Sequence, residues 1–271
     1  SETDGIDFFS GEALKKTDLN KVHVAYSDHM TEGYRPDTTK FTKLHQMVSA
    51  TGFHYTAHAY TDGHRKGENA IPGFDLVILD LDGTVQMETA ALLLEKYTYM
   101  FATTKRHTES KNRFRIILPL SHHLKLNSQD YSAFMSNVFT WLPFDVDSQT
   151  KDIARKWLSH AGNYSYNDGK LLDATLFIPQ TKKASEYAKS VVDAGAISNL
   201  ERWFLANTEI GNRQSMMYRL GCVYIEIGAD MSELDSLMAA FNNKLKVPLP
   251  ENELRTQVNA ALQSKLKHKG N

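Results

Sequence analysis

The sequence predicts an α+β chain: a mixed-sheet domain with flanking helices over residues 1–180, then a small helical bundle over 187–271. Three observations support this. Short β-branched and aliphatic runs, bounded by turn residues, recur as far as Ile178. Apolar residues recur at helical spacing from Tyr187 onward. The texture changes after Pro179, which marks a linker between the two parts.

The elements follow in order. Val22 to Tyr26 reads as a strand. Phe41, Leu44, Met47 and Val48 form a short helical stripe, stopped near Gly52. Phe53 to Tyr60 alternates, placing His54, Thr56 and His58 on one polar strand face; histidines four apart on a strand lie about 13 Å apart, too far to share one ion. Phe74 to Leu79 reads as a buried strand between Pro72-Gly73 and Gly83, ending in Asp80-Leu81-Asp82. Thr89 to Lys96 is an expected helix, and Tyr97–Thr104 and Phe114–Leu118 are expected strands, the second closed by Pro119. Ser128 to Trp141 is amphipathic, with Tyr131, Phe134, Met135 and Val138 on its apolar face. Leu171–Ile178 is the last expected strand. The bundle helices are Val191–Leu205, Arg213–Ile227, Ser232–Asn243 and Glu251–Lys265. Ser232-x-x-Asp235 offers a capping box, and Pro248 and Pro250 precede the last helix.

Composition sets bounds on function. The 31 basic and 32 acidic residues give a net charge of −1, so no global basic field argues for nucleic acid. Charge is locally uneven: Lys105, Arg106, Lys111, Arg113, Arg115 and Lys125 face one acid, Glu109. The basic end, Lys265, Lys267, His268 and Lys269, reads as a solvated terminus. The single cysteine, Cys222, excludes an intrachain disulfide and a cysteine-based zinc site, and reads as an inert thiol in a helix. No run approaches a membrane span and no signal peptide is recognisable, so a cytoplasmic protein is expected.

The chemistry centres on Asp80 and Asp82. Strand alternation puts both carboxylates on one face, about 7 Å apart along the chain. Such a pair is costly without positive charge between, and oxygen-only ligands favour Mg²⁺ or Mn²⁺. Arg113 and Arg115 also alternate with apolar residues and require anionic partners, which a nucleoside triphosphate or surface carboxylates would supply. Asp147 follows Val146 at an expected strand start and is the candidate third carboxylate, with Asp145 a competitor for that place.

Together these residues resemble the archaeo-eukaryotic primase superfamily, specifically the primase-polymerases of phages and plasmids. Ile78-Leu79-Asp80-Leu81-Asp82 matches its first motif. Lys105-Arg106-His107 matches Ser-x-His in part, with Lys105 at the serine position and Thr103 or Thr104 near enough to donate a hydroxyl. Val146-Asp147 matches the third motif, Arg113 to Leu120 the Arg-x-Arg-x-x-x-Pro-Leu pattern, and Asp147 with Arg155 the Asp-to-Arg spacing of eight. Gly211-Asn212-Arg213, Tyr218-Arg219-Leu220, Gly228, Asn242, Pro248-Leu249-Pro250 and Glu253-Leu254 look like the helical domain that follows such modules.

The resemblance implies a DNA primase of a mobile element that uses two Mg²⁺ or Mn²⁺ ions on Asp80, Asp82 and Asp147. It implies that His107, Arg113, Arg115, Lys105 and Thr104 hold the nucleotide. Single-stranded DNA and nucleoside triphosphates are the implied partners, with a replicative helicase a candidate. Ile78-Leu79-Asp80-Leu81-Asp82-Gly83-Thr84-Val85 also fits the first motif of haloacid-dehalogenase-like phosphatases, with Asp80 as nucleophile, although some 80 residues precede it and no Gly-Asp-x-x-x-Asp follows. A non-enzymatic nucleic-acid-binding module is a third class. The basic loop Gly63-His64-Arg65-Lys66-Gly67 reads equally as a mobile element beside the aspartates or as a solvated turn.

Overall fold

The computed structural model describes residues 13–195 and 197–269, so the outermost residues of both expected domains lie outside it. The strands are β1 (Lys15–Lys16), β2 (Val22–Ser27), β3 (Arg35–Thr39), β4 (His54–Thr56), β5 (Ala59–Tyr60), β6 (Ala70–Ile71), β7 (Phe74–Asp82), β8 (Tyr99–Thr103), β9 (Arg113–Leu124), β10 (Trp157–Leu158) and β11 (Tyr164–Asn167). The helices of this part are α1 (His45–Val48), α2 (Met87–Leu93), α3 (Ser128–Trp141) and α4 (Lys182–Asp193). The main sheet is built on β9, which pairs with β7 on one side and with β8 and β1 on the other; β11 pairs with β8. Every strand pair in it is antiparallel. A second sheet runs β10-β4-β2-β3, and β5 and β6 form a separate pair.

The apolar run at Phe74 forms β7 as expected, buried from Phe74 to Leu79 and again at Leu81. Among the described residues its only sheet partner is β9, so it lies at an edge, and its burial comes from packing on its faces. β9 does not stop at Pro119 but runs on to Leu124. The missing N–H of Pro119 falls beside a register shift in the β7–β9 pair, between Phe74 and Leu76, where a ladder bond is dispensable. The expected strand at Leu171–Ile178 is instead an isolated bridge at Leu172 and a 3₁₀ turn, Ala174–Leu176, capped by Asp173. The last strand is β11, earlier in the chain.

The predicted face of α3 is the buried one: Tyr131, Phe134, Met135 and Val138. Phe134 meets Phe74 and Phe177 edge-on, with centroids at 5.6 and 5.9 Å. His58 does not join a polar strand face. β4 ends at Thr56, and His58 turns inward, 2% exposed, against Phe74 and Tyr131. Burial, and secondarily the charge of His123, lowers its pKa to about 3. The unfolded chain therefore takes up a proton below about pH 6.5 that the folded chain refuses, and stability falls as pH drops from there toward 3. Between pH 7 and 5 the His58→Phe variant should lose up to ~2 kcal/mol less stability than the parent, measured by urea denaturation. Equal pH slopes would contradict this.

The chain divides into two compact units, residues 1–140 with 145–195 and residues 141–144 with 196–271. α4 thus belongs to the first unit, where a linker and the start of the bundle were expected. The expected helix Val191–Leu205 is two helices, broken after α4 at Gly195, whose φ of +73° favours glycine. The second unit contains α5 (Asn199–Asn207), α6 (Arg213–Glu226), α7 (Met231–Lys244) and a last helix from Glu251 to Lys269 with a π-helical stretch at Leu254–Asn259. Asp230 and Glu233, not Ser232 and Asp235, form the capping box of α7. A Cβ on Gly221 would meet Leu262 at 2.2 Å, so this glycine lets α6 and the last helix approach closely. Among the described residues no helix is long and apolar enough to cross a membrane.

Candidate functional site

The end of β7 is fixed by its sequence. Gly83, at φ +82°, turns the chain sharply, and a Cβ there would strike the Lys111 side chain. The next residue, Thr84, donates its hydroxyl to the Asp145 carbonyl at 2.8 Å. The Asp147 N–H donates to the Asp80 carbonyl at 3.1 Å. The 145–147 loop is thereby tied to the strand that carries the first two aspartates. Asp147 is not on a strand; it caps the 3₁₀ turn Ser148–Lys151, accepting from the Gln149 N–H at 3.0 Å. Asp145 is exposed and outside the cleft described next.

An open cleft of about 430 Å³ is lined by Asp80, Asp82, Thr104, Lys105, Arg106, Arg113, Arg115, Asp147, Arg155 and His160, with Leu81 and Leu158. It brings together all the predicted site residues except His107. The His107 ring accepts from the Arg113 N–H through Nδ1 at 3.1 Å, and the His107 backbone N–H donates to the Thr104 carbonyl, closing the 104–113 loop. Neither threonine holds a spare hydroxyl. Thr103 Oγ1 is paired with the backbone of Asn163, and Thr104 Oγ1 donates to the Arg113 carbonyl.

Cross-strand register explains the charge pattern. Asp80 lies opposite Arg115 and Asp82 opposite Arg113 on β9, and directly opposed side chains share a face. Arg115 Nε donates to Asp80 Oδ1 at 2.9 Å, and Arg113 Nε donates to Asp82 Oδ1. The Arg113 guanidinium lowers the Asp82 pKa, chiefly through that hydrogen bond. Arg115 is further committed to the Tyr55 hydroxyl and the Leu158 carbonyl, and its side chain is only 12% exposed.

Arg155 lies in the cleft although it is not among the predicted site residues. Its Nη2 donates to Asp80 Oδ2 at 2.9 Å and Asp147 Oδ2 at 3.2 Å, and its buried Nε has no partner among the described residues. One guanidinium nitrogen therefore links two of the three aspartates. The turn that carries it is held from the basic loop and its neighbour: Arg65 donates to the Ala154 carbonyl and Tyr60 to the Ile153 carbonyl. Arg65 also binds the Met30 carbonyl, so the loop at 63–67 is a support for this turn. His160 was missed too. It reaches the cleft just past β10, whose pairing with β4 spans about a hundred residues and leaves no local signal.

The cleft holds five basic side chains against three carboxylates, a surplus that favours an anionic ligand. The carboxylates are hard oxygen donors, and a cationic nitrogen already sits between Asp80 and Asp147, so the set suits a divalent cation. The three do not form a tight cage in this arrangement. Among the described residues, the trio of metal-ligating side chains with donor atoms within 4.8 Å of one another is His23, Asp75 and His123, elsewhere in the fold.

Residues 19–183 match a family model described as the VapE N-terminal domain. The chain belongs to that family. Residues 201–267 of this VapE-type chain match a second model, Primase C terminal 1 (PriCT-1). The two matches, in this order, bear out the resemblance to phage- and plasmid-type primases with a C-terminal helical primase domain. Among curated proteins none matches the chain. Among solved structures, the primase RepB' is matched with a TM-score of 0.30 at 11% identity, over 92% of this chain and 88% of that one.

In the helical unit, the residues that carried the resemblance serve its loops. Arg213 donates to the Val247 and Pro248 carbonyls, and buried Asn242 pairs with both backbone groups of Leu249. Asn212 bridges the Asn207 carbonyl and the Glu209 N–H.

Proposed function

We infer that the cleft at Asp80 carries out metal-dependent, template-directed nucleotidyl transfer, making primers on single-stranded DNA for a mobile genetic element. The observation that carries this reading is the meeting of three carboxylates and five basic side chains in one cleft of a chain with two primase-related domains. Asp80, Asp82 and Asp147 would hold Mg²⁺ or Mn²⁺. When bound, the metal ions activate a 3′-hydroxyl and stabilise the departing pyrophosphate.

The protein groups divide the remaining work. Lys105 and Arg106, both exposed at the cleft, are placed to attract the triphosphate of a nucleotide. Arg113 adds charge beside Asp82. Arg115, tied to Asp80, Tyr55 and Leu158, orients Asp80 and is a positioning residue. His107 acts indirectly, by holding the 104–113 loop that presents Lys105 and Arg106. Arg155 is placed to exchange its carboxylates for phosphate oxygens when metal and nucleotide bind.

Incubation with single-stranded DNA, labelled nucleotides and Mg²⁺ or Mn²⁺ tests this reading. It predicts oligonucleotides made without a primer. Phosphate release from a generic monoester, with no polymer, would favour the phosphatase alternative.

We assign chain initiation to the helical unit, because two nucleotides and a template must be ordered without a primer's binding energy. Asn212 and Arg213 are spent on backbone groups and Lys244 on Glu201, so Lys246, which lines a cleft of about 730 Å³ in that unit, is the better candidate for holding the template. Ending the chain after residue 195, where the first unit ends, should suppress de novo priming much more than primer extension. Equal loss of both in a folded truncation would make the bundle a structural support.

A further inference from the structure

We propose that His23, Asp75 and His123 form a second metal site, for a transition-metal dication of which zinc is the best fit. It is independent of the reading of the cleft. Asp75 is the second residue of β7, five residues before Asp80, so the two sites are about 17 Å apart along the strand. His23 comes from β2 of the second sheet and His123 from the far end of β9.

The three side chains converge on one point. Asp75 is 2% exposed, and its two carboxylate oxygens meet the two rings separately: His23 Nδ1 lies 2.6 Å from Oδ2, and His123 Nδ1 lies 2.8 Å from Oδ1. The ring centroids are 4.7 Å apart, and all three donor atoms lie within 4.8 Å of one another.

The chemistry of this donor set differs from that of the cleft. Two imidazole nitrogens and one carboxylate oxygen are the ligands of a three-coordinate protein zinc site that leaves a fourth position open. Imidazole prefers zinc and its neighbours to magnesium, whereas the all-oxygen cleft prefers the reverse. Tetrahedral ligands on zinc sit roughly 3.3 Å apart, so the hydrogen-bonded contacts of 2.6 and 2.8 Å need to open by only about 0.5–0.7 Å. The His23 side chain is 55% exposed, which gives an ion and its water a route from solvent. A metal here would pin β2 to β7 and β9, joining the two sheets at the end remote from the cleft.

The test is zinc titration of the full chain against a chromophoric chelator, after metal stripping and with millimolar Mg²⁺ present, together with X-ray absorption of the zinc-loaded parent. We expect one tightly bound zinc, an absorption spectrum with two imidazole ligands, and a rise in the unfolding midpoint on loading. His23→Ala, at an exposed position, should weaken zinc on the order of a hundredfold while the metal-free variant keeps its circular dichroism. No stoichiometric zinc, unchanged affinity in that variant, or a spectrum lacking two imidazoles would overturn the site. The spectrum decides the matter on the unaltered chain if the variant fails to fold.

Discussion

Asp82→Asn should abolish primer synthesis and leave the fold intact, whereas Asp80→Asn should abolish synthesis and also cost stability. The difference follows from burial. The Asp82 side chain is 68% exposed and pairs with one arginine, so solvent takes over when its charge is removed. The Asp80 side chain is 18% exposed and takes hydrogen bonds from Arg115 and Arg155, whose side chains are 12% and 27% exposed. Removing a buried charge from its partners typically costs 3–5 kcal/mol; the amide still accepts a hydrogen bond, so a loss of about 3 kcal/mol is expected. Both variants lose activity because a neutral amide is a poor ligand for a hard cation. Primer assays in Mn²⁺ and urea denaturation check the pair. Full activity in Asp82→Asn would remove it from the metal set, and unchanged stability in Asp80→Asn would mean that Arg115 does not depend on it.

Arg155→Ala should change two affinities in opposite directions. Its guanidinium occupies the position between Asp80 and Asp147 that a cation would share, so its removal frees carboxylate oxygens and should tighten Mn²⁺ binding. The same change removes a charge from the anion site and should weaken nucleotide binding by about 1.5–3 kcal/mol, roughly ten- to hundredfold. Mn²⁺ titration by electron paramagnetic resonance, beside nucleotide titration, reads both. A fall in both affinities would make Arg155 a scaffold for the two aspartates, with no exchange between metal and phosphate.

Much of the first unit was legible because its signals are local. The run before Asp80 is apolar and bounded by glycines, and the stripe on α3 repeats at helical spacing. β3, with the sequence Arg-Pro-Asp-Thr-Thr, reads as a turn; only pairing with β2 makes it a strand. β11, Tyr-Ser-Tyr-Asn, is short and lies between two glycines, so its identity also comes from its partner. The alternation of Arg113 and Arg115 showed that they share a face but not that Asp82 and Asp80 would lie opposite them. That register is set by β7–β9 pairing across some thirty residues. Arg155 was visible as a spacing from Asp147, yet its contact with Asp80 depends on the Asp147–Asp80 backbone bond and on the turn held by Arg65 and Tyr60. The His23, Asp75 and His123 cluster left no sequence signal, since three separate strands supply it.

The proposed chemistry has Asp80, Asp82 and Asp147 binding divalent metal while the surrounding basic residues bind triphosphate. Anomalous diffraction from crystals grown with Mn²⁺ and a non-hydrolysable nucleotide tests it most directly. The expected result is manganese peaks on the oxygens of these three aspartates, with Arg155 moved from Asp80 and Asp147 to the phosphates. Nucleotide bound in the cleft without manganese on these carboxylates, and with Arg155 still bridging them, would contradict it.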